Sequence, residues 1–236
     1  MSKNMTVEKT FASAIQNHQK NNFKAAEDLY NQILEIDPNH IKTIFFLGTL
    51  SVQTKNFDRA KQMLQKTIQA QPNNVDAYNN LGVVFKEFEE FQKAKDCFEK
   101  VIQIQPKHVD ALNNLGNVFK QLNEPQKAIN YYQKAIEIEP SYINAHQNLM
   151  DVCEKTNQIT ELKDAVSNAR TFFKDNSIIK LYEGILLSRN EKFVEAKNYL
   201  ESILFETKEI KNEILRVSTL AKCYDRIGDT DKAFNY

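Results

Sequence analysis

The strongest constraint on the fold is a 34-residue unit that the sequence contains twice in succession, at residues 75–108 and 109–142. Of the 34 aligned positions, 18 are identical, and most of the others exchange one residue for another of similar character. Self-similarity at a period of about 20–50 residues is typical of stacked supersecondary units, in which each unit packs on its neighbours. The sequence therefore predicts an array of repeats instead of a single closed domain.

Each unit has the pattern of a helical hairpin. In the second copy, Leu115 and Phe119 belong to an apolar stripe at helical spacing, and a second stripe follows Pro125. Proline fits the first turn of a helix, where its missing N–H costs no hydrogen bond, and we interpret Asn123 as the residue that caps this helix. Pro140 is expected to end it.

Small residues mark the point where the two helices of a hairpin cross. Gly116 and Ala128 lie at these positions in the second copy, and large side chains there would hold the two backbones apart. In the copy at 143–176 they are replaced by Met150 and Leu162. We therefore expect that hairpin to be wider.

Seven spaced residues in each copy resemble the tetratricopeptide repeat: Leu-Gly, an aromatic residue, alanine, a second aromatic residue, alanine or valine, and proline. They are Leu81, Gly82, Phe85, Ala94, Phe98, Val101 and Pro106, then Leu115, Gly116, Phe119, Ala128, Tyr132, Ala135 and Pro140. The resemblance implies an all-α, right-handed superhelical solenoid of about seven hairpins, the last one incomplete. It also implies a concave groove that binds proteins or peptides.

The phase of this pattern predicts the boundaries of the other copies. A disordered segment at 1–6 is expected to precede repeats at 7–40, 41–74, 75–108, 109–142, 143–176, 177–210 and 214–236. The last copy keeps its phase only with about three inserted residues near Lys208–Asn212, and it stops at Tyr236 within its second helix. We favour a fragment of a longer protein over a second chain that covers this end.

Composition restricts the partners. The chain has 31 basic and 31 acidic residues, so a net charge of zero argues against nucleic acid as the partner. No apolar run approaches the roughly 20 residues of a membrane span, no signal-peptide core is present, and the three cysteines are scattered, which favours the cytoplasm. Without metal-ligand spacing or a phosphate-binding glycine motif, we expect no metal, no cofactor and no catalysis within these residues.

A polar stripe follows the first helices of the central repeats, because repeat positions 2, 5, 6 and 9 share one helix face. The candidate peptide-binding residues on it are Asp76, Asn79, Asn80, Asp110, Asn113, Asn114, Asn117 and Asn148. In the tetratricopeptide family this stripe lines the groove, and an asparagine amide can pair with both polar groups of a peptide backbone. The stripe resembles the asparagine ladder in the repeat domains of O-linked N-acetylglucosamine transferases and of bacterial sulfotransferases. Alternatively, the amides bond to one another and serve only the structure.

The candidate site includes an apolar end. Phe45 and Phe46, with Phe11 and Ile15, occupy positions where chaperone-binding members of the family carry a basic clamp for a carboxylate. The clamp is therefore absent, and these residues favour an amphipathic or aromatic-bearing segment as ligand.

Three functional hypotheses follow. The first is a scaffold that captures an extended or helical protein segment in its groove. The alternative is a substrate-recruiting arm of a larger enzyme, a glycosyltransferase or a sulfotransferase, whose catalytic domain follows Tyr236. The third is self-association through an open C-terminal face around Phe234 and Tyr236.

Overall fold

The structure is a computed structural model, and it describes residues 3–203 and 210–235. The regular secondary structure of these residues is all α-helix, with no strand, as the sequence predicted. The helices are α1 (Lys3–Gln19), α2 (Phe23–Ile36), α3 (Ile41–Gln53), α4 (Phe57–Ala70), α5 (Val75–Glu87), α6 (Phe91–Ile104), α7 (Val109–Gln121), α8 (Pro125–Ile138), α9 (Ile143–Lys155), α10 (Ile159–Phe172), α11 (Ser177–Arg189), α12 (Phe193–Glu201), α13 (Ile210–Ile227) and α14 (Thr230–Asn235).

The turn after each odd-numbered helix contains one residue in the left-handed conformation. From α1 to α11 these residues recur every 34 positions with φ between 57° and 61°, at Asn21, Lys55, Glu89, Asn123, Asn157 and Glu191. The next left-handed residue is Gly228, with φ 83° and 37 positions further on. Backbone bonds close the turn: the N–H of Glu90 lies 2.9 Å from the carbonyl oxygen of Phe85, so the end of α5 is satisfied by its own chain.

The role predicted for Asn123 is wrong. It adopts a φ of 58°, which asparagine tolerates better than most residues, and so forms the turn instead of capping the helix. Glu124 is the N-cap of α8, and its side chain makes no capping hydrogen bond. Pro125 is the first residue of the helix, as predicted.

Several first helices begin with a side chain that caps them. The Oδ1 of Asn74 accepts from the N–H of Ala77 at 2.9 Å. Histidine does the same at His40 and His108, where Nδ1 of His108 lies 3.2 Å from the backbone nitrogen of Ala111. A capping side chain of this kind contributes about 1 kcal/mol to a helix. Capping therefore explains why these two histidines occur at the same position in their repeats, immediately before a first helix.

The chain divides into two compact units, residues 1–123 and 124–236. Unit 1 contains α1–α7, with α1–α2, α3–α4 and α5–α6 packed as hairpins. Gly82 marks the crossing of α5 and α6, because a Cβ atom at this position would lie 2.7 Å from the ring of Phe98. Likewise, a Cβ atom at Gly48 would lie 3.1 Å from the side chain of Leu64. Glycine thus lets the two helices of these hairpins approach closely.

Unit 2 contains α8–α14, with α9–α10, α11–α12 and α13–α14 packed as hairpins. In α9–α10 the crossing is filled by Met150 and Leu162, both with no exposed surface. The backbones of α9 and α10 lie close together at fewer positions than those of α5 and α6, although the helices have the same lengths. A wider hairpin, as the sequence predicts, would have this effect. In hairpin α11–α12 a glycine again lies at the crossing: Gly184 of α11 packs against the side chain of Leu200.

Two expectations concern the ends of the chain. Helix α1 begins at Lys3, within the segment 1–6 for which the sequence predicts disorder, and that disorder stays a prediction. Residues 204–209, Tyr236 and the side chain of Phe234 lie outside the described residues, and with them the predicted insertion and the self-association face. Within 3–203 and 210–235, no helix is long and apolar enough to cross a membrane.

Candidate functional site

The polar stripe of unit 1 lies on α5 and α7, two first helices that pack against each other, with α3 on the other side of α5. Asp76 and Asp110 are exposed at the starts of α5 and α7. Asn80 and Asn114 are half-buried, as is Asn79, whereas Asn113 is only 6% exposed. The stripe is therefore a partly covered amide surface with a carboxylate at one end of each helix.

Asn80 is bonded to the neighbouring helix. Its Nδ2 donates to the Oγ1 of Thr49 on α3 at 3.1 Å, so the structural alternative applies to this amide. The residue that corresponds to Thr49 one repeat later is Val83, which offers no acceptor to the next helix. Accordingly, the amide of Asn114 makes no side-chain hydrogen bond to another residue that the structure describes. The amides of α5 and α7 thus differ in availability.

Asn79 has an unsatisfied acceptor. Its Oδ1 is buried and has no hydrogen-bond partner among the described residues. Leaving a buried acceptor without a partner costs about 1–3 kcal/mol, so such groups are rare in folded proteins. The atom is an unsatisfied acceptor on a half-buried residue, and a donor from outside the chain would stabilise it if the side chain turned outward.

The remaining predicted residues of α7 already have interactions. Asp110, Asn113 and Asn117 each contact a polar, charged or aromatic group elsewhere in the protein. Since Asn113 is also buried, sequence reasoning placed it on the correct face but could not tell that neighbouring side chains cover it. Of the predicted asparagines in unit 1, Asn79 and Asn114 retain the most unused hydrogen-bonding capacity.

The predicted apolar end is an aromatic cluster. The ring of Phe46 lies 5.7 Å from that of Phe11 and 6.4 Å from that of Tyr30, and Phe45 contacts Phe46 at 5.2 Å. Phe11, Ile15 and Phe46 pack against the core of the first hairpin. Part of their apolar surface is therefore already covered within unit 1, while Phe45 and Phe46 stay half-buried.

In unit 2, Asn148 lines a cavity of about 390 Å³ together with Gln147, Asp151, Tyr182 and Lys211. The carboxylate of Asp151, on a residue 6% exposed, accepts from Lys211 Nζ at 2.9 Å and from Lys155 Nζ at 3.3 Å. Such pairing offsets the cost of burying a charge. Burial raises the pKa of Tyr182, with a smaller contribution from the charge of Asp151, so its hydroxyl remains protonated and can donate. Sequence reasoning missed Tyr182 and Lys211, which belong to other repeats.

Among the described residues, the remaining reactive types form neither a metal site nor an activated thiol at Cys97 or Cys153. Across the described ranges, no three histidine, cysteine, aspartate or glutamate side chains are placed to hold a metal ion. Burial raises the pKa of the Cys97 and Cys153 thiols to about 12. Both thiols therefore stay protonated at neutral pH and are poor nucleophiles.

Comparison with known families decides the classification. Models of the tetratricopeptide repeat match residues 18–82, 75–108 and 109–142, which together make up more than half of the chain. The chain belongs to the tetratricopeptide repeat family. None of the curated proteins matches it significantly.

Solved structures support this classification. MamA is 26% identical, with a TM-score of 0.64, and the match covers 72% of this chain and 92% of MamA. A tetratricopeptide repeat protein from Parabacteroides merdae is 15% identical, with a TM-score of 0.74 over 97% of this chain and 90% of its own. YrrB, described as a tetratricopeptide repeat protein with an unusual peptide-binding site, is 18% identical, with a TM-score of 0.58 over 87% and 96%. Family and fold together support a protein-interaction scaffold.

Proposed function

We propose that this protein is a scaffold that captures an extended segment of a partner protein along the polar side of its first helices. The observation that carries the proposal is the buried Oδ1 of Asn79, which has no partner among the described residues. An extended peptide offers backbone N–H groups, and such an oxygen can accept a hydrogen bond from one of them. Asn114, on the adjacent helix α7, adds an amide that can both donate and accept.

Charge and apolar surface around these amides favour particular segments. Asp76 and Asp110 favour basic side chains near the start of α5 and α7, although salt screens this attraction. The half-buried rings of Phe45 and Phe46 favour an apolar or aromatic side chain. In unit 2, the cavity around Asn148 provides a separate contact for a partner. In this proposal the described residues bind and do not catalyse, and the protein acts in the cytoplasm with its cysteines reduced.

A selection of unstructured peptides from a random displayed library on the immobilised chain tests the proposal. A selected peptide is then titrated by calorimetry into the wild type and into the double variant Asn79→Ala, Asn114→Ala. Loss of two backbone-directed hydrogen bonds is expected to weaken binding by at least about tenfold. Unchanged affinity, or failure to select any peptide, would contradict the proposal.

The matched control carries Asn130→Ala and Asn198→Ala. Both residues are exposed asparagines on second helices, in α8 and α12, away from the stripe. The control should bind like the wild type, and the circular dichroism of both double variants should remain that of the native helices. A control that loses as much affinity as the stripe variant would place the peptide elsewhere on the protein.

A further inference from the structure

Unit 2 contains a second cavity, of about 360 Å³, between α8, α9 and α10. Its size lies at the lower end of the roughly 300–1,000 Å³ typical of ligand pockets. Part of the lining is apolar: Ile136 on α8, Leu149 on α9 and Ala165 on α10. None of its lining residues belongs to the polar stripe, so this cavity is independent of the proposed peptide-binding surface.

Three carboxylates line the cavity: Glu137 on α8, and Glu161 and Asp164 on α10. All three are exposed, and none of them has an ion-pair partner among the described residues. No lysine or arginine contributes to the lining. The cavity is therefore an acidic site whose negative charge the rest of the described chain does not neutralise.

His146 adds a second, independent feature to the lining. The side chain is fully buried, and its Nε2 lies 2.9 Å from the carbonyl oxygen of Pro140. A carbonyl oxygen can only accept, so Nε2 carries the proton and Nδ1 presents a lone pair. Nδ1 is buried and has no partner among the described residues. The ring, which belongs to a lining residue of the same cavity, therefore has one unused hydrogen-bond acceptor.

The acidic residue at Glu161 distinguishes this copy from the three before it, and the following copy also has an acidic residue there, Glu195. In the three preceding copies, the position of Glu161 is basic: Arg59, Lys93 and Lys127. The position of His146 is occupied by Ile44, Tyr78 and Leu112 in the same copies. The repeat has thus exchanged a basic residue for an acidic one, and the leucine of the preceding copy for a histidine, around a single cavity.

We propose that this cavity binds an arginine side chain of a partner protein. A guanidinium presents five N–H donors in one plane, so it can bond to several carboxylates and to the Nδ1 of His146 at once. It is also more weakly hydrated than an ammonium group, which favours entry into a partly apolar cavity. The aliphatic stem of arginine would cover Ile136, Leu149 and Ala165.

An adjoining cavity has room for the residues that flank the arginine. It has a volume of about 560 Å³ and shares Ile136, Glu137, Asp164 and Asn168 with the first. Phe172, 50% exposed, borders it and lies 6.2 Å from the ring of His146. An exposed aromatic face beside an acidic site attracts a second cation or an apolar side chain.

The probe for this site is N-acetyl-arginine methylamide, titrated into the ¹⁵N-labelled full chain and followed by NMR. N-acetyl-citrulline methylamide, which has the same shape without the charge, is the matched ligand control. The arginine derivative is expected to shift amides of α8, α9 and α10 together with the imidazole nitrogens of His146, and the citrulline derivative is expected to bind at least about tenfold more weakly. Equal shifts with both ligands, or shifts confined to other helices, would overturn the proposal.

Two variants locate the site. Glu161→Lys restores the basic residue of the preceding copies at an exposed position, and it should weaken binding by at least about tenfold. His146→Leu, which introduces the residue found at Leu112, should weaken it severalfold while keeping the core apolar. Asp96→Asn is the control, since Asp96 is the exposed equivalent of Asp164 in α6 and lies outside the cavity. Wild-type affinity in Glu161→Lys would refute the assignment even if His146→Leu failed to fold.

Discussion

Hairpins α5–α6 and α9–α10 have helices of equal length, and each turn has a left-handed residue at the same position, Glu89 in one and Asn157 in the other. The two hairpins are nevertheless packed differently. In the first hairpin, Gly82 lets the ring of Phe98 come against the backbone of α5. In the second, two large buried side chains occupy the crossing, and the two backbones lie close together at fewer positions.

The comparison separates the determinants of two properties. The turn depends on one residue in the left-handed backbone conformation. Six non-glycine residues and one glycine adopt it, each in the turn after a first helix. The depth of packing depends on side-chain volume at the crossing, which each copy sets for itself. A repeat can therefore change its packing, and gain an acidic cavity beside it, without losing its place in the array.

The largest loss of stability is expected for Met150→Ala in the wider hairpin. Met150 is fully buried, so the truncation leaves a cavity, and such substitutions cost about 2–5 kcal/mol. Urea unfolding and hydrogen exchange in α9 and α10 measure the loss. A change below about 1 kcal/mol would mean that α10 closes onto α9 and that Met150 does not hold the helices apart.

Gly82→Ala tests the narrow hairpin. The new methyl group would lie 2.7 Å from the ring of Phe98, and overpacking of this kind costs about 1–3 kcal/mol. Alanine recovers up to about 1 kcal/mol of helix propensity, so we expect a net loss of about 1–2 kcal/mol by urea unfolding. In a Phe98→Leu background the same substitution should cost less, and an equal cost in both backgrounds would show that the ring is not the obstacle.

His146 makes the stability of the wider hairpin sensitive to pH. Burial, opposed in part by the bond to Pro140, holds the pKa of His146 below its ordinary value of about 6.5. The unfolded chain therefore binds a proton more readily, so stability is complete above about pH 6.5 and decreases as the pH falls through that value toward the folded pKa. The slope from this residue cannot exceed about 1.4 kcal/mol per pH unit, the value for one proton. Unfolding between pH 7.5 and 5 should show a smaller slope in His146→Leu than in the wild type, and equal slopes would contradict this.

The smallest loss of stability is expected for Thr49→Val, which gives α3 the residue type found at Val83 in α5. It removes the hydrogen bond from Asn80 and should cost about 0.5–1.5 kcal/mol. In an Asn80→Ala background the cost should largely disappear, as a double-mutant cycle would reveal. Full additivity of the two substitutions would mean that the bond contributes nothing to stability.

The sequence predicted most of the fold because the repeat is visible in the residues themselves. Leucine, glycine, aromatic and proline spacing predicted helical hairpins, and Met150 and Leu162 predicted a wider one. Asn123 was misassigned because asparagine serves equally well as a cap and as a left-handed turn residue. The disorder expected at residues 1–6 stays a prediction, since polar residues such as those before Val7 are compatible both with a disordered segment and with the start of α1 at Lys3.

The candidate site could be predicted only as a face. Helical periodicity placed Asn79, Asn80 and Asn114 on the first helices, but it could not tell that Asn80 bonds to Thr49 across α3 and α5. The cavity beside His146 was missed because its lining comes from three helices. The signals for it in the sequence were the reversal from Lys93 and Lys127 to Glu161 and the change from Leu112 to His146 at another repeat position.

The central claim is that the stripe on the first helices binds a protein segment, and the most direct test is a crystal structure of the chain with a library-selected peptide. We predict an extended peptide across α5 and α7, with a backbone N–H within hydrogen-bonding distance of Asn79 Oδ1 and the amide of Asn114 bonded to the peptide backbone. A peptide bound on the second helices, with only water at Asn79 Oδ1, would contradict the claim.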